Sequence, residues 1–225
     1  MESNIFFKKN ALVIGGTSGA GLETARLLCE NGAYVTATGR TLPEFSADKK
    51  IKFVKCEFNN DNFYSVFQNE LFPLLQNTDF LVYAAGPFVQ KSLEQTQADD
   101  WVSMANLNFA LPGMCLSSAL KFMKKRNFGR IVIFGGTRTD SVRAYKTNAA
   151  YAGAKTALSV LVKSAATEAA PFGITCNAIL PGFIHNAPQN TKNVTESQLA
   201  QNAIYLMQNE FLNGVLLNVD RGWNP

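Results

Sequence analysis

The sequence predicts a doubly wound α/β fold, on three observations. Short apolar runs rich in β-branched residues alternate with longer stretches of helical periodicity, those runs are continuous rather than alternating, and no repeat or polar linker interrupts the series. Continuous apolar strands belong to sheets covered on both faces, and parallel neighbours need a crossover, which the helical stretches supply. With 225 residues, 47% hydrophobic and 17% charged, the chain suits one core, and a single domain over 1–225 is expected.

Residues 11–14 read as the first strand and 21–30 as the helix after it. Between them stands Gly15-Gly16-Thr17-Ser18-Gly19-Ala20-Gly21. Glycines at 15, 19 and 21 permit a tight turn, close approach of backbone to a pyrophosphate, and close packing of helix on strand. Backbone N–H groups at the helix start then face the phosphates. Such a turn also occurs without a ligand, but its place in a strand-loop-helix unit favours a dinucleotide.

The second strand, 34–38, ends at Thr38-Gly39-Arg40, where dinucleotide folds often carry an acid for the ribose 2′-hydroxyl. Gly39 has no carboxylate, whereas Arg40 and Thr17 suit a 2′-phosphate, so NADPH is expected over NADH. A plain surface arginine is the alternative. The link from 39 to 51 is too short for a full crossover helix, so a loop or single turn is expected at a thin sheet edge.

Strands follow at 51–54, 80–83, 130–134, 174–180 and 215–219, about seven in all, with helices at 61–76, 99–125, 151–170 and 197–208. The basic cluster at 121–126 falls at a helix C-terminus, where cations favour the dipole, and reads as a solvated end rather than a nucleic-acid patch. At the start of the fourth helix, Tyr151-Ala152-Gly153-Ala154-Lys155 puts a phenol and an ammonium one turn apart on one face. An adjacent ammonium and an oxidised nicotinamide both favour the phenolate; reaching neutrality from a pKa near 10 takes about 4 kcal/mol. Taken alone, the spacing also fits a core aromatic followed by a snorkelling lysine.

Gly15-x-x-x-Gly19-x-Gly21, Ala85-Gly86 after the fourth strand, Tyr151-x-x-x-Lys155 and Asn177-x-x-x-Pro181-Gly182 stand in the order found in the short-chain dehydrogenase/reductase family. The ending Val219-Asp220-Arg221-Gly222 is similar to that family's Asp-Gly-Gly. Over nearly its whole length the chain resembles the family's single-domain NADP-dependent carbonyl and 3-oxoacyl reductases. The resemblance implies a Rossmann-type sheet and an NADPH-dependent oxidoreductase that interconverts a carbonyl and an alcohol, with Tyr151 as general acid/base. It implies that Lys155 contacts the nicotinamide ribose and tunes Tyr151, and that Asn108, placed by Trp101-x6-Asn108, is a structural and relay residue. Nearby Asn106 leaves that register open, and an ordinary helix amide is the alternative. Glu57 is implied beside the adenine, and Ala84, Ala85 and Gly86 along the adenosine. The turn Pro181-Gly182-Phe183-Ile184 is implied to offer backbone groups to the carboxamide. With Thr17, Ser18, Ala20 and Arg40 joining the glycines at 15, 19 and 21, this completes the expected NADP(H) set.

The pattern departs from the family in three places. In Phe134-Gly135-Gly136-Thr137-Arg138-Thr139 a glycine, Gly136, aligns with the serine that polarises the substrate. Thr137 is the candidate replacement, with Thr139 and Ser141 behind it. The loop 136–151 carries Arg138, Arg143 and Lys146, which either flank an anionic substrate or are solvated. Tyr83-Ala84-Ala85-Gly86 replaces the family's Asn-Asn-Ala-Gly, and 181–195 is too short for the usual substrate-covering helices, so an open cleft is expected. His185 in that stretch reads as a solvated loop residue rather than a catalytic one.

A small-molecule or acyl-thioester carbonyl is the expected substrate. A catalytically weak NADP-binding sensor or scaffold is the rival, motivated by Gly136; an epimerase or dehydratase would need a substrate domain for which the length leaves little room. Cys29, Cys56, Cys115 and Cys176 show no C-x-x-C spacing, and there is one histidine, so no metal site is expected and the thiols read as reduced. Residues 1–10 lack a signal-peptide pattern and no run is long enough for a bilayer, so a cytoplasmic protein without membrane contact is expected. The net charge of +4 is dispersed. Surplus apolar residues on helices 99–125 and 151–170 predict a homodimer or homotetramer.

Overall fold

The computed structural model describes residues 4–43, 50–184 and 193–222. In chain order it shows β1 (Asn10–Ile14), α1 (Gly19–Glu30), β2 (Tyr34–Gly39), β3 (Ile51–Lys55), α2 (Phe63–Val66), α3 (Phe72–Leu75), β4 (Phe80–Tyr83), α4 (Ala98–Ala105), α5 (Leu111–Arg126), β5 (Gly129–Phe134), α6 (Ala149–Ala169), β6 (Ile174–Pro181), α7 (Glu196–Gln208) and β7 (Leu216–Val219). The seven strands form one sheet in the order β3-β2-β1-β4-β5-β6-β7, and every neighbouring pair is parallel. The doubly wound Rossmann-type sheet expected from the sequence is therefore present, each strand within a residue or two of its expected bounds.

Alternate residues of the central strands feed two cores. Leu12, Ile14, Leu81, Tyr83, Ile131 and Ile133 pack beneath α5 and α6, against Leu111, Leu116, Leu158 and Val162. Val13, Val82, Val132 and Ile179 face the other way, against Leu28 of α1 and Leu199, Ala203 and Met207 of α7. Both faces are covered, which is why the strands read as unbroken apolar runs. Losing one of these buried leucines to alanine costs about 2–5 kcal/mol.

Two expected helices are each interrupted. A π turn, Phe67–Leu71, separates α2 from α3, and another, Asn106–Ala110, separates α4 from α5. Each is followed by a proline in the first turn of the next helix, Pro73 or Pro112. Proline has no N–H to return to the carbonyl four residues back, Asn69 or Asn108, so the regular ladder fails there and a wider turn takes its place.

Between β2 and β3 the described residues Arg40 to Pro43 form no helix, and the middle of that link lies outside the described residues. β3 is the thin edge, with Lys52 and Lys55 exposed, a charge pattern that discourages further strand pairing. Between Pro181 and α7 the described residues likewise hold no helix, and 185–192 lie outside them. The chain leaves β1 toward α1 on one face and β4 toward α4 and α5 on the other. Adjacent strands whose connections diverge leave a crevice at their carboxyl ends, and this topological switch point positions the site.

Candidate active site

A crevice of about 820 Å³ opens there. Its floor is the turn after β1. Gly15 has φ +84°, and a Cβ on it would come within 2.8 Å of the Ala84 carbonyl and Ala85 nitrogen, so the close approach of this turn to the end of β4 requires glycine. The Gly15 and Gly16 N–H groups both donate to the Thr38 carbonyl at 2.9 Å, which ties the turn to β2. Ser18 precedes α1 with extended backbone, and its side chain makes no capping bond. The first-turn N–H groups are left for another acceptor, and Thr17, Ser18, Gly19, Ala20 and Gly21 all line the crevice. A Cβ on Gly19 would meet nothing within 4 Å. The cradle thus has the open space, the close backbone and the unsatisfied donors that a dinucleotide pyrophosphate needs.

At one end lie Arg40 and Glu57, both exposed; Ala84 and Ala85 stand against the Gly15 turn, and Gly86 lies close to Lys155 Nζ. A side chain on Gly39 would overlap the Thr17 hydroxyl. Leu42 and Phe58 also line this end; neither stands in a motif, and their apolar surface is what the sequence alone did not assign. Burial pushes the Cys56 thiol here up to about 12, with Glu70 adding to the effect, so it stays protonated and unreactive.

At the other end α6 presents Tyr151 and Lys155 together on the crevice wall. Lys155 is 5% exposed; its Nζ donates to the Phe134 carbonyl at 3.0 Å and lies 5.9 Å from the centre of the Tyr151 ring. Burial pushes Lys155 down to about 8. Tyr151 moves opposite to expectation: burial, and then the nearby Tyr145, push it up to about 12. The ammonium does not offset the loss of solvent around the phenol, so the protein's own groups keep Tyr151 protonated.

Thr137 requires a correction. Its hydroxyl donates to the Pro181 carbonyl at 2.7 Å, and it is not among the residues lining the crevice. Thr139 is buried, with its hydroxyl donating to the Gly136 carbonyl at 2.8 Å, and Ser141 is exposed on the loop. The position that faces the phenol is Gly136: a Cβ there would lie 3.2 Å from Tyr151 Cε1 and from Lys155 Cβ. None of the three hydroxyls occupies that place.

Asn108, in the π turn, is fully buried. Its Nδ2 donates to the Pro87 carbonyl at 2.9 Å and to Met104 Sδ at 3.3 Å, while its Oδ1 lies against Gly86 and has no hydrogen-bond partner in the protein. It is Asn108 rather than Asn106 that packs on this turn. Pro181 and Ile184 line the crevice. Gly182 does not; its N–H donates to the Val219 carbonyl at 2.9 Å. Asn177 of the same motif ties β6 to the approach of β7, Nδ2 donating to the Leu212 carbonyl and Oδ1 accepting from Val215 N–H. Arg143 pairs with Asp140 at 3.5 Å, Arg138 accepts the Tyr145 hydroxyl on its carbonyl at 2.7 Å, and neither arginine nor Lys146 lines the crevice. His185 lies outside the described residues.

Phe88 lines the crevice although no motif marks it. Its ring lies 4.8 Å from that of Tyr151 at 78°, edge to face. Among the described residues no group of three or more His, Cys, Asp or Glu side chains converges, and no helix is long and apolar enough to cross a membrane.

A family model described as short chain dehydrogenase matches residues 9–198. The chain is 31% identical over 185 residues to the 3beta-hydroxysteroid dehydrogenase of Mediterraneibacter gnavus, covering 78% of this chain and 66% of that one. It is 28% identical over 236 residues to the 3-oxoacyl-[acyl-carrier-protein] reductase of Bos taurus, covering 95% and 97%. A solved structure described as a short chain dehydrogenase/reductase family protein superposes with a TM-score of 0.83 at 26% identity, covering 96% of this chain and 97% of that one.

Proposed function

The chain belongs to the short-chain dehydrogenase family of oxidoreductases, which use nicotinamide cofactors, and on that premise we propose that it is an NADPH-dependent reductase interconverting a carbonyl and an alcohol, with Tyr151 as general acid/base. The observation that carries this reading is that Tyr151 and Lys155 share one crevice with the glycine turn at 15–21.

The cofactor's pyrophosphate is held by the turn and the start of α1, its adenosine by Glu57 and the segment Ala84, Ala85 and Gly86, and its nicotinamide end by Lys155, Pro181 and Ile184. Arg40 and Thr17 take the 2′-phosphate; Gly39 has neither a carboxylate nor room for one beside Thr17. When bound, the nicotinamide supplies or accepts the hydride. Tyr151 carries its proton at neutral pH and gives it to the substrate oxygen in reduction, taking one back in oxidation. Lys155, held near neutrality by burial, orients the cofactor ribose and returns a proton to the phenol. Asn108 offers its unpartnered Oδ1 to a water that passes protons onward. The substrate oxygen is held by Tyr151 without a second hydroxyl, since Gly136 faces it. A small-molecule or acyl-thioester carbonyl is the substrate.

The protein acts as one domain over 1–225 and as a homodimer or homotetramer in the cytoplasm. Its four free thiols, three of them buried, suit a reducing compartment, and Trp101, Val102 and Val160 expose apolar surface on α4 and α6.

The test is NADPH consumption, followed by absorbance, over a panel of ketones and acyl thioesters. Wild type is expected to turn over at least one, and Tyr151→Phe to lose about 100-fold or more in kcat with NADPH affinity retained. The bare Gly136 position favours one other reading, an NADP-binding sensor or scaffold. Tight NADPH binding by wild type without turnover of any carbonyl would establish that instead.

A further inference from the structure

Phe88 is 58% exposed, yet it sits on a rigid stretch of chain. Gly86 before it has φ +140°, and a side chain there would overlap Asn108 Oδ1. Pro87 has a fixed φ, and its carbonyl is held by Asn108 Nδ2 at 2.9 Å. Three residues on, Lys91 forms a parallel bridge with Asn148, the residue before α6, and pairs with Asp100 at 2.6 Å. The aromatic ring is therefore presented from an anchored segment, edge to face with Tyr151, with much of its surface open. A single exposed apolar side chain ordinarily needs no explanation. One held against the proton donor inside the crevice does.

Gly136 also stands against the Tyr151 ring, where an added Cβ would touch Cε1 at 3.2 Å. With no hydroxyl there, a carbonyl oxygen has one donor, and a single hydrogen bond leaves the rest of the substrate free to swing about it. Orientation must come from elsewhere in the substrate. Among the described residues the only cations lining the crevice are Arg40, at the adenosine end, and Lys155, whose Nζ is bonded to the Phe134 carbonyl, while Lys91 and Arg143 outside it are each paired with a carboxylate, Asp100 and Asp140, which disfavours charge as the orienting feature. The open Phe88 ring remains.

We propose that Phe88 determines specificity, forming the wall against which a planar apolar carbonyl compound, an aryl or fused-ring ketone, lies while Tyr151 protonates its oxygen. This rests on the reductase reading above and narrows its substrate class. A flat ring stacks on phenylalanine without ordering rotatable bonds, whereas a flexible chain must pay that entropy.

The experiment compares kcat/KM for 1-tetralone and for the acyclic 2-decanone in wild type, Phe88→Ala and Phe88→Trp, with NADPH affinity and melting temperature measured in parallel. Wild type is expected to favour tetralone, and Phe88→Ala to lower the tetralone-to-decanone ratio about tenfold, chiefly through KM. Phe88→Trp is expected to keep the preference. Equal losses on both ketones would show that Phe88 merely supports Tyr151 and would overturn the proposal, as would a wild-type preference for decanone. Absence of turnover of either ketone, with activity on acyl thioesters, would overturn the proposal but leave the reductase reading standing; no activity on any carbonyl would remove both.

Discussion

Thr17 lies against the bare Cα of Gly39, so a side chain at position 39 would run into its hydroxyl. The contact is held in place by the two bonds from Gly15 and Gly16 to the Thr38 carbonyl. An acid at the end of β2 would therefore require Thr17 to move, and Arg40, the next residue, is exposed and lines the crevice.

If Arg40 takes the 2′-phosphate, Arg40→Ala weakens NADPH binding by about 10- to 100-fold, the scale of one charge-assisted hydrogen bond, and leaves NADH binding nearly unchanged. Parallel fluorescence titrations measure both. Unaltered NADPH affinity in the variant would refute the assignment. Gly39→Asp is expected to gain NADH affinity only when Thr17→Gly opens the space.

Gly136→Ser places a hydroxyl beside the Tyr151 ring. The 3.2 Å contacts with Tyr151, Lys155 and Thr139 require small shifts, at an expected cost of about 1 kcal/mol. A second donor at the substrate oxygen raises kcat on simple ketones on the order of tenfold, less than an evolved oxyanion donor contributes. A fall in kcat in a normally folded variant would show that the family's hydroxyl has no counterpart in this site.

Thr137→Ala removes the bond to the Pro181 carbonyl. Stability is expected to drop by about 1 kcal/mol in urea titration, with kcat little changed. A loss of kcat as large as that of Tyr151→Phe would return Thr137 to the chemistry.

Lys155 links stability to pH. Its folded value of about 8 lies below the ordinary 10.5, so between the two the unfolded chain binds the extra proton and stability rises with pH. Cys56 and Cys176, pushed up by burial to about 12 from an ordinary 9.0, and Cys115, raised in the same direction, act oppositely as pH rises through 9. From pH 8 to pH 9 the rise from Lys155 and the fall from the three thiols are each about 1 kcal/mol, so unfolding free energy is expected to stay nearly level and then fall. In Lys155→Met the same interval should show a fall of about 1 kcal/mol. A level profile in the variant would mean that some other group is responsible.

Light scattering should give the mass of a dimer or tetramer, and Val160→Glu, on the exposed side of α6, should lower it. A monomer in wild type removes the oligomer proposal.

The amino-acid sequence by itself determined the order of strands and helices, the glycine turn, and the sharing of one helical face by Tyr151 and Lys155. Each depends on residues a few positions apart, through side-chain periodicity, backbone sterics and the reach of one helical turn. Even the two π turns were latent in Pro73 and Pro112, each of which withholds an N–H from the helical ladder. Only the tertiary structure decided that the Thr137 hydroxyl goes to Pro181, that Phe88 stands on Tyr151, that Thr17 fills the space over Gly39, and that burial outweighs the lysine at the phenol. These are distances between chain segments brought together by the sheet, and solvent exclusion at a point depends on everything packed around it; no local pattern of residue types encodes either.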